Sequence, residues 1–454
     1  MIMSRHSDTI VAPATPHGTS ALAIVRVSGP DVPSLTTASL GGAPLTPRLA
    51  VHRQYRAVDG RCLDDVVATW FEKPKSFTGD HLLEISTHGN PLIVQQVMAD
   101  LLVRGCRMAE PGEFTRRAFL NGRLDLTQAE AVMDVIHARS ETALAAAQQQ
   151  LKGSLGRHIT LLREQILQVL ARVEAYIDFP EEDLPADDEI ALLQSVQQVL
   201  RGTTRLLATH HYGDLLRDGI RTVIIGETNV GKSSLLNALV GRNRMLVSAE
   251  PGTTRDYVEE RLTIGPHLFR LTDTAGLNAM PGQVEQLGIL KTLERAAEAD
   301  LLIWVCDATS PTPPLPDAIS RKLTADNVLM VLNKSDLLTQ RPVARPPVRW
   351  PIHRTSATTN LGVNELGQAL ARAADRLRPD STAEVVAINS RHAAALSRAE
   401  RALRASVDQL QQREPVELLA SNLRDALDAI GEIGGRVDNE EVLDRLFATF
   451  CIGK

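Results

Sequence analysis

The sequence predicts a multidomain protein: an N-terminal α/β (α+β) domain, a discontinuous all-α helical domain, and a doubly wound α/β domain inserted between the two halves of the helical one. Three observations lead there. The chain has 454 residues, enough for two to four hydrophobic cores. Its texture changes near residues 120, 217 and 380, from mixed strands and helices to helices alone, then to alternating strands and helices, then back to helices. Hydrophobic residues make up 43% and charged residues 23%, which is globular usage and excludes a disordered or fibrous chain. The expected boundaries are 1–120, 121–216, 217–379 and 380–454, with the second and fourth segments forming one helical domain.

In the first segment TIVAPATP, ALAIVRVSG and DDVVATWF read as short strands, and NPLIVQQVMADLLVRG as an amphipathic helix. After Asp125, Thr127 and Glu130 form a capping-box signature ahead of an Ala-, Leu- and Gln-rich helical stretch. Leu162, Ile166, Val169, Val173 and Ile177 repeat at three- and four-residue spacing, one apolar stripe that Pro180 stops. The acidic run EEDLPADDE reads as a solvated turn starting the next helix, with a cation or basic-partner site as the alternative. From about Gly219, RTVIIG, a helix from Ser233, YVEERLTIG, HLFRLTD, DLLIWVCD, NVLMVLNK and WPIHRTSA alternate as a doubly wound sheet requires. The Pro-rich pieces PTPPLP and RPVARPPVRWP are loops between them, and helices resume from Asn389 through Leu410 and from Glu417 to the end.

Composition excludes several functions. The net charge of -6 leaves no global basic field for nucleic acid, so any RNA contact is local. With 3% aromatic residues a base-stacking platform has little to work with. Cys62, Cys106, Cys306 and Cys451 make no CxxC pair, which argues against a zinc knuckle or disulfide framework and for a reducing, cytoplasmic location. No stretch reaches the apolar length of a membrane span, so no membrane association is expected. The ending Cys451-Ile452-Gly453-Lys454 is a poor prenylation box because of its last two residues.

Motifs carry the functional reading. Gly226-Glu227-Thr228-Asn229-Val230-Gly231-Lys232-Ser233 fits GxxxxGK[ST] between a strand and a helix: backbone N–H groups wrap phosphate, Lys232 reaches the β- and γ-phosphates, and the Ser233 hydroxyl ligates Mg²⁺. Asp273-Thr274-Ala275-Gly276 ends a later strand, where a carboxylate meets the metal through water and a backbone amide senses the γ-phosphate. Asn333-Lys334-Ser335-Asp336 ends another, and the Asp336 carboxylate suits the N1 and N2 edge of guanine, which adenine lacks. Ser356-Ala357-Thr358 completes a base pocket, and the four motifs in this order indicate a GTPase. Gly252-Thr253-Thr254-Arg255-Asp256 reads as a switch loop whose threonine joins the Mg²⁺ shell. Leu277 follows Gly276 where many GTPases place a glutamine, and it cannot orient water. The candidates for that task are the polar residues of LNAMPGQVEQLG, whose one carboxylate is Glu285. Asn229 offers a neutral oxygen where a cation could offset phosphoryl charge, its alternative role being that of a turn residue.

These motifs, together with DTIVAPATP, PGEFTRRAFLNGRLDLTQAEA, EAYIDFPEED and the C-terminal FCIGK, resemble the MnmE (TrmE) family of bacterial tRNA modification GTPases over essentially the whole chain. The resemblance implies a folate-binding, dimerising N-terminal domain and a helical domain closed by the C-terminal segment. It also implies a homodimer with potassium-dependent approach of the GTPase domains, and a heterotetramer with the FAD enzyme MnmG. Together these add an aminomethyl or carboxymethylaminomethyl group to carbon 5 of wobble uridine 34 in certain tRNAs. One carbon would come from 5,10-methylene-tetrahydrofolate or a formyl-tetrahydrofolate analogue.

By motif, the resemblance places Asn229, Ser248, Glu250 and Thr253 in the K⁺ shell, backbone oxygens serving at the second and third, and Ser233 and Thr254 on Mg²⁺. It puts Glu285 at the family's water-orienting glutamate, and GTP contacts on Asn229 to Ser234 (with Val230, Gly231 and Lys232) and on Ser248, Ala249, Glu250, Pro251, Gly252, Thr253 and Thr254. Further contacts fall on Asp273, Thr274, Ala275 and Gly276, on Asn333, Lys334 and Asp336, and on Ser356, Ala357 and Thr358. The matching folate positions are Arg26, Glu84, Arg123 and Lys454; cations suit a glutamate tail and a carboxylate a pterin edge, while Arg26 and Glu84 on strands could instead be a structural ion pair. Departures from the family pattern are Thr19 in HGTSALAIVR, Asp80 and His81 in SFTGDH, Arg123 in place of lysine, and Asn278 in place of arginine. Cys451 is either a nucleophile or a residue that packs or places the folate. The rival reading is a regulatory RNA-binding switch GTPase of ribosome assembly, for which Gly431-Glu432-Ile433-Gly434 spells a KH-type GxxG loop but lies between helices and holds a glutamate.

Overall fold

The computed structural model describes residues 8–178, 186–242, 259–273, 295–296, 298–313, 324, 326–338, 350–379, 386–435 and 440–453. The chain divides into two compact units, Met1–Met133 with Leu151–Ala186 and Gln409–Lys454, and Asp134–Gln150 with Asp187–Asp408.

The first unit is built on a six-stranded sheet of β1 (Ile10–Pro13), β2 (Ser20–Ser28), β3 (Ala50–Arg56), β4 (Cys62–Phe71), β5 (Leu82–Gly89) and β6 (Arg107–Met108), in the order β3-β4-β5-β2-β1-β6. All pairs are antiparallel except β1 with β6. Strand periodicity of two sends Val25 and Val27 into a core with Leu35 of α1 (Val32–Leu40) and with Val97 and Leu101 of α2 (Pro91–Val103). It leaves Arg26 of β2 and Glu84 of β5 opposite each other on the other face. Helix α2 starts where the sequence places it, because Asn90 Oδ1 accepts from Leu92 N–H at 2.9 Å and Pro91 occupies the first turn. Strand β3 is not among the expected strands: His52, Gln54 and Arg56 are exposed and Tyr55 alone is fully buried, its hydroxyl donating to Asp100 Oδ2 at 2.8 Å.

Helices α3 (Glu113–Leu120), α4 (Leu126–His137), α5 (Glu141–Leu151) and α6 (Ser154–Asp178) follow along the chain. The cap of α4 differs from the expected one. Asp125 Oδ1 accepts from Gln128 N–H at 2.8 Å while Gln128 Oε1 accepts from Asp125 N–H at 3.0 Å, so the reciprocal box is Asp125/Gln128, not Thr127/Glu130. Both Thr127 and Glu130 are buried instead, and Thr127 donates to Asp125 Oδ1. The α6 stripe is realised, with Leu162, Ile166, Val169 and Val173 buried and the helix ending at Asp178; Pro180 and most of EEDLPADDE lie outside the described residues.

In the second unit a six-stranded sheet runs β12-β11-β10-β7-β9-β8, from β7 (Ile220–Ile225), β8 (Glu259–Ile264), β9 (His267–Asp273), β10 (Leu301–Asp307), β11 (Val328–Asn333) and β12 (Ile352–Arg354). Only β8 is antiparallel to its neighbour. Alternate residues of β10 enter different cores, Ile303 and Val305 on one face and Leu302, Trp304 and Cys306 on the other, as in a sheet covered on both sides. The first face receives Leu235, Leu236 and Leu239 of α9 (Lys232–Arg242) and Val363, Leu366 and Leu370 of α10 (Val363–Arg376). Helices α7 (Ala186–Leu207), α8 (His210–Asp218) and α11 (Ser390–Gln412) fall in the segments 121–216 and 380–454 that the sequence reads as helical.

The C-terminal helix is not continuous from Glu417. It forms α12 (Val416–Gly434), closed by Gly435 at φ 108, and then α13 (Glu440–Phe447). Gly431-Glu432-Ile433-Gly434 is therefore the last turn of α12, with Ile433 fully buried, and not a KH-type loop. Helix α12 packs along α6 in the first unit.

Candidate functional site

Sheet order places the phosphate loop at the switch point, where β7 has β10 on one side and β9 on the other. The loop leaves β7 at Gly226 and enters α9 at Lys232. Asn229 adopts φ 64, and Gly231 adopts φ 93, where a Cβ would overlap Asn333 Nδ2. Lys232 is buried, and its Nζ donates to Gly226 O at 2.9 Å and Glu227 O at 2.7 Å, which anchors the ammonium within the loop. Val230 is buried beneath the loop, whereas Ser233 and Ser234 stand exposed in the first turn of α9. Backbone N–H groups at a helix N-terminus suit an anion there.

The base end is joined to this loop through one buried side chain. Asn333 Nδ2 donates to Val230 O at 2.9 Å, and its Oδ1 accepts from Ala357 N–H and Thr355 Oγ1, each at 3.2 Å. Thr355 and Ser356 are fully buried, and Thr358 is exposed. Lys334 takes the left-handed conformation, φ 60, and swings the chain into a 3₁₀ turn, Ser335–Leu337, that leaves Asp336 exposed. Lys334 Nζ pairs with Asp307 Oδ2 at 2.7 Å. Burial works to raise the Asp307 carboxyl, but hydrogen bonds from Lys334 and Thr309 outweigh it and hold it below the ordinary carboxylate range. Thr355 and Asp307 were invisible as site residues in the sequence; the one signal for Asp307 is its place at the end of an apolar strand.

Several expected residues lie outside the described residues: Ser248, Ala249, Glu250, Pro251, Gly252, Thr253, Thr254, Thr274, Ala275, Gly276, Leu277, Asn278, Glu285 and Lys454. Asp273 closes β9.

In the first unit, Arg26 and Glu84 are brought together. Arg26 Nε and Nη2 donate to Glu84 Oε1 at 3.1 and 2.7 Å, and Nη1 donates to Gly453 O at 3.0 Å. Its guanidinium lies 5.9 Å from the Phe77 ring centroid and 5.8 Å from that of Phe114. The aromatic walls were not anticipated; a tail beside Arg26 was, through Lys454, which lies outside the described residues. Arg123 is exposed just beyond α3, and Asn121 Nδ2 ties that segment to Thr78 O at 2.7 Å and to Asp80 Oδ2 at 3.2 Å. His81 stacks on Trp70, with ring centroids 5.7 Å apart.

The C-terminal tail is seated against the same sheet. Gly112 N–H donates to Cys451 O at 3.3 Å, Phe450 packs on Phe447 at 5.1 Å, and the Gly453 backbone is so close to Pro13 O that a Cβ there would overlap it. Cys451 is a free, exposed thiol with no hydrogen-bonded base among the described residues. By contrast, burial pushes the thiols of Cys106 and Cys306 up to about 11 and about 12.

The family model described as the GTP-binding protein TrmE N-terminus matches residues 9–123, and that of the MnmE helical domain matches residues 126–451. A tRNA modification GTPase MnmE from Opitutus terrae is 54% identical over 448 residues, covering 98% of this chain and 99% of that protein. The one from Akkermansia muciniphila is 43% identical over 451 residues, again 98% and 99% of the two chains. Among solved structures, an Aquifex aeolicus Era variant bound to GDP and AlF4⁻ is similar at 25% identity over 40% of this chain and 66% of its own, with a TM-score of 0.28. Identity of this extent over 98% of the chain, together with the two family models, means that the chain belongs to the MnmE (TrmE) family of tRNA modification GTPases.

Proposed function

We propose that this chain is a K⁺-dependent GTPase which, as a homodimer assembled with the FAD enzyme MnmG, adds an aminomethyl or carboxymethylaminomethyl group to carbon 5 of wobble uridine 34 in tRNA. The observation that carries the nucleotide half is the buried Asn333 bridge, which ties the phosphate loop at Val230 to the base loop at Ala357 while Asp336 stays open to a guanine edge. Lys232, anchored in the loop, meets the phosphates, and Glu285 orients the attacking water, since Leu277 cannot. Water oxygen bonds to the γ-phosphorus as the bond to the β-bridging oxygen breaks.

Ser233 and Thr254 would hold Mg²⁺, and Asn229, Ser248, Glu250 and Thr253 would hold K⁺; the exposed Ser233 in the first turn of α9 and the left-handed Asn229 fit those tasks. Both ions would supply positive charge at the transferring phosphoryl group. For the folate derivative, Arg26, Glu84, Arg123 and Lys454 are the holding residues, and the cation, carboxylate and two phenyl rings around Arg26 suit a charged, flat ligand. Such a cofactor would supply the added carbon. We assign residues 1–120 to folate and dimer contacts, 121–216 with 380–454 to the helical domain, and 217–379 to GTP, and place the protein in the cytoplasm. Among the described residues no helix is long and apolar enough to cross a membrane. A ribosome-assembly switch gains no support, because its one RNA-binding signal is a turn of α12.

Steady-state GTP hydrolysis tests the proposal. The parent should be markedly faster in K⁺ than in Na⁺, and Glu285→Gln should slow hydrolysis by about two orders of magnitude with GTP affinity nearly retained. Equal rates in the two salts, or an unimpaired variant, would overturn the assignment.

A further inference from the structure

We propose that Asp307 is a positioning residue of the nucleotide site: it holds the Lys334 ammonium at the end of β10 and so fixes the wall that receives the guanine base. The inference rests on the guanine-nucleotide reading above and adds a residue which that reading does not contain.

Asp307 is the last residue of β10, in register with Asn333, the last of β11, and Ala308 N–H closes the pair on Asn333 O at 2.8 Å. The carboxylate is oriented by its own loop. Its Oδ1 accepts from Thr309 N–H at 2.9 Å and from Thr309 Oγ1 at 2.6 Å, which leaves Oδ2 facing Lys334 Nζ at 2.7 Å. Three donors on one carboxylate are more than a loose surface ion pair needs. With side-chain exposures of 17% for Asp307 and 33% for Lys334 the pair is partly screened by solvent, so its value lies in geometry more than in Coulomb energy.

The geometry matters because of where Lys334 sits. Its backbone is left-handed, a conformation a side-chain-bearing residue seldom adopts, and this one residue separates the buried Asn333 bridge from the exposed Asp336 turn. A free lysine stem would sample many rotamers and lose them on binding; one tied at its far end is already ordered. Asn333 and Asp307 thus secure adjacent residues of the base loop from two sides, one through Val230 and one through β10.

Equilibrium titration of the full-length protein with GTP and with GDP, paired with kcat and KM for hydrolysis, provides the test. Asp307→Asn should weaken both nucleotides equally, by about fivefold, because the base end and not the γ-phosphate is affected, and the loss should fall on KM and not on kcat. Lys334→Met should weaken binding as well, and the double variant should be no weaker than Lys334→Met alone, since Asp307 acts through Lys334. Thr309→Val, an exposed change that removes one anchor of the carboxylate, should shift affinity the same way by less. Asp307→Asn binding as tightly as the parent or more tightly, or additive losses in the double variant, would overturn the inference while leaving the GTPase reading intact. A parent protein that bound no guanine nucleotide would overturn both.

Discussion

Asp336 and the residues that place it show how the site divides its labour. Asn333 and Thr355 are buried and bonded to each other, whereas Asp336, to which we assign base recognition, is exposed. Asp336→Asn removes the acceptor pair for guanine N1 and N2 and should move preference from guanine to xanthine nucleotides with phosphate binding retained. Full discrimination for GTP in a competition assay would refute that role. A second residue-scale prediction concerns the network of buried Glu113 and Arg117 with the more exposed Asp8 and Arg107, in which Glu113 Oε1 accepts from Arg107 at 2.7 Å and from Arg117 at 2.9 Å. Burial opposes the Glu113 charge, yet hydrogen bonds from Arg107, Glu110 N–H and Arg117 prevail and hold its carboxyl below the usual range. Because the folded value is depressed, the stabilisation is present above the ordinary glutamate value of about 4.3 and is lost as pH falls through the folded value. Glu113→Gln should therefore cost about 2–3 kcal/mol in urea unfolding at neutral pH, with the gap to the parent closing in acid. A gap independent of pH would contradict the linkage. Asn333 and Asp336 could be singled out in the sequence because their motif is local. Asp307 was not, because its partner lies 27 residues away and only strand register brings the two together.

At the scale of elements, buried parallel strands announced themselves and half-exposed ones did not. RTVIIG and DLLIWVCD are near-continuous apolar runs because both faces of β7 and β10 are covered, whereas β3 shows water His52, Gln54 and Arg56 and so lacks the signal. The α4 cap was misplaced by two residues for a related reason: Thr127 and Glu130 have the right types and spacing, but Asp125 and Gln128 make the reciprocal bonds. The link between the phosphate loop and β11 also belongs to this scale, since it depends on two elements passing at Gly231. A methyl group there would meet both a left-handed backbone and the Asn333 amide, so Gly231→Ala should reduce GTP affinity by at least about tenfold while global stability falls by no more than about 2 kcal/mol. Calorimetric titration showing parental affinity would contradict the proposed contact.

Over the whole molecule, the N-terminal sheet and the C-terminal tail meet in one unit. Arg26 of the second strand bonds to Gly453, the last residue described, and Phe447 of α13 with Phe450 beyond it packs on Leu126 and Met133 of α4. FCIGK was legible as a motif, and its grouping with Arg26 and Glu84 pointed to the N-terminal domain; its individual contacts with Pro13 and Gly112 were not legible, since nothing in a five-residue tail names them. Deleting Ile452 to Lys454 should weaken folate binding and wobble modification without altering GTP affinity, because the nucleotide motifs lie between Gly226 and Thr358. Normal folate binding and full modification by the truncated chain would make the tail dispensable. The most direct test of the whole account is mass analysis of wobble-position nucleosides in tRNA from a strain lacking this protein and from the same strain supplied with the parent or with Glu285→Gln. The account predicts loss of the carbon-5 substituent on uridine 34, restored by the parent and not by the variant; an unaltered nucleoside profile in the deletion strain would contradict it.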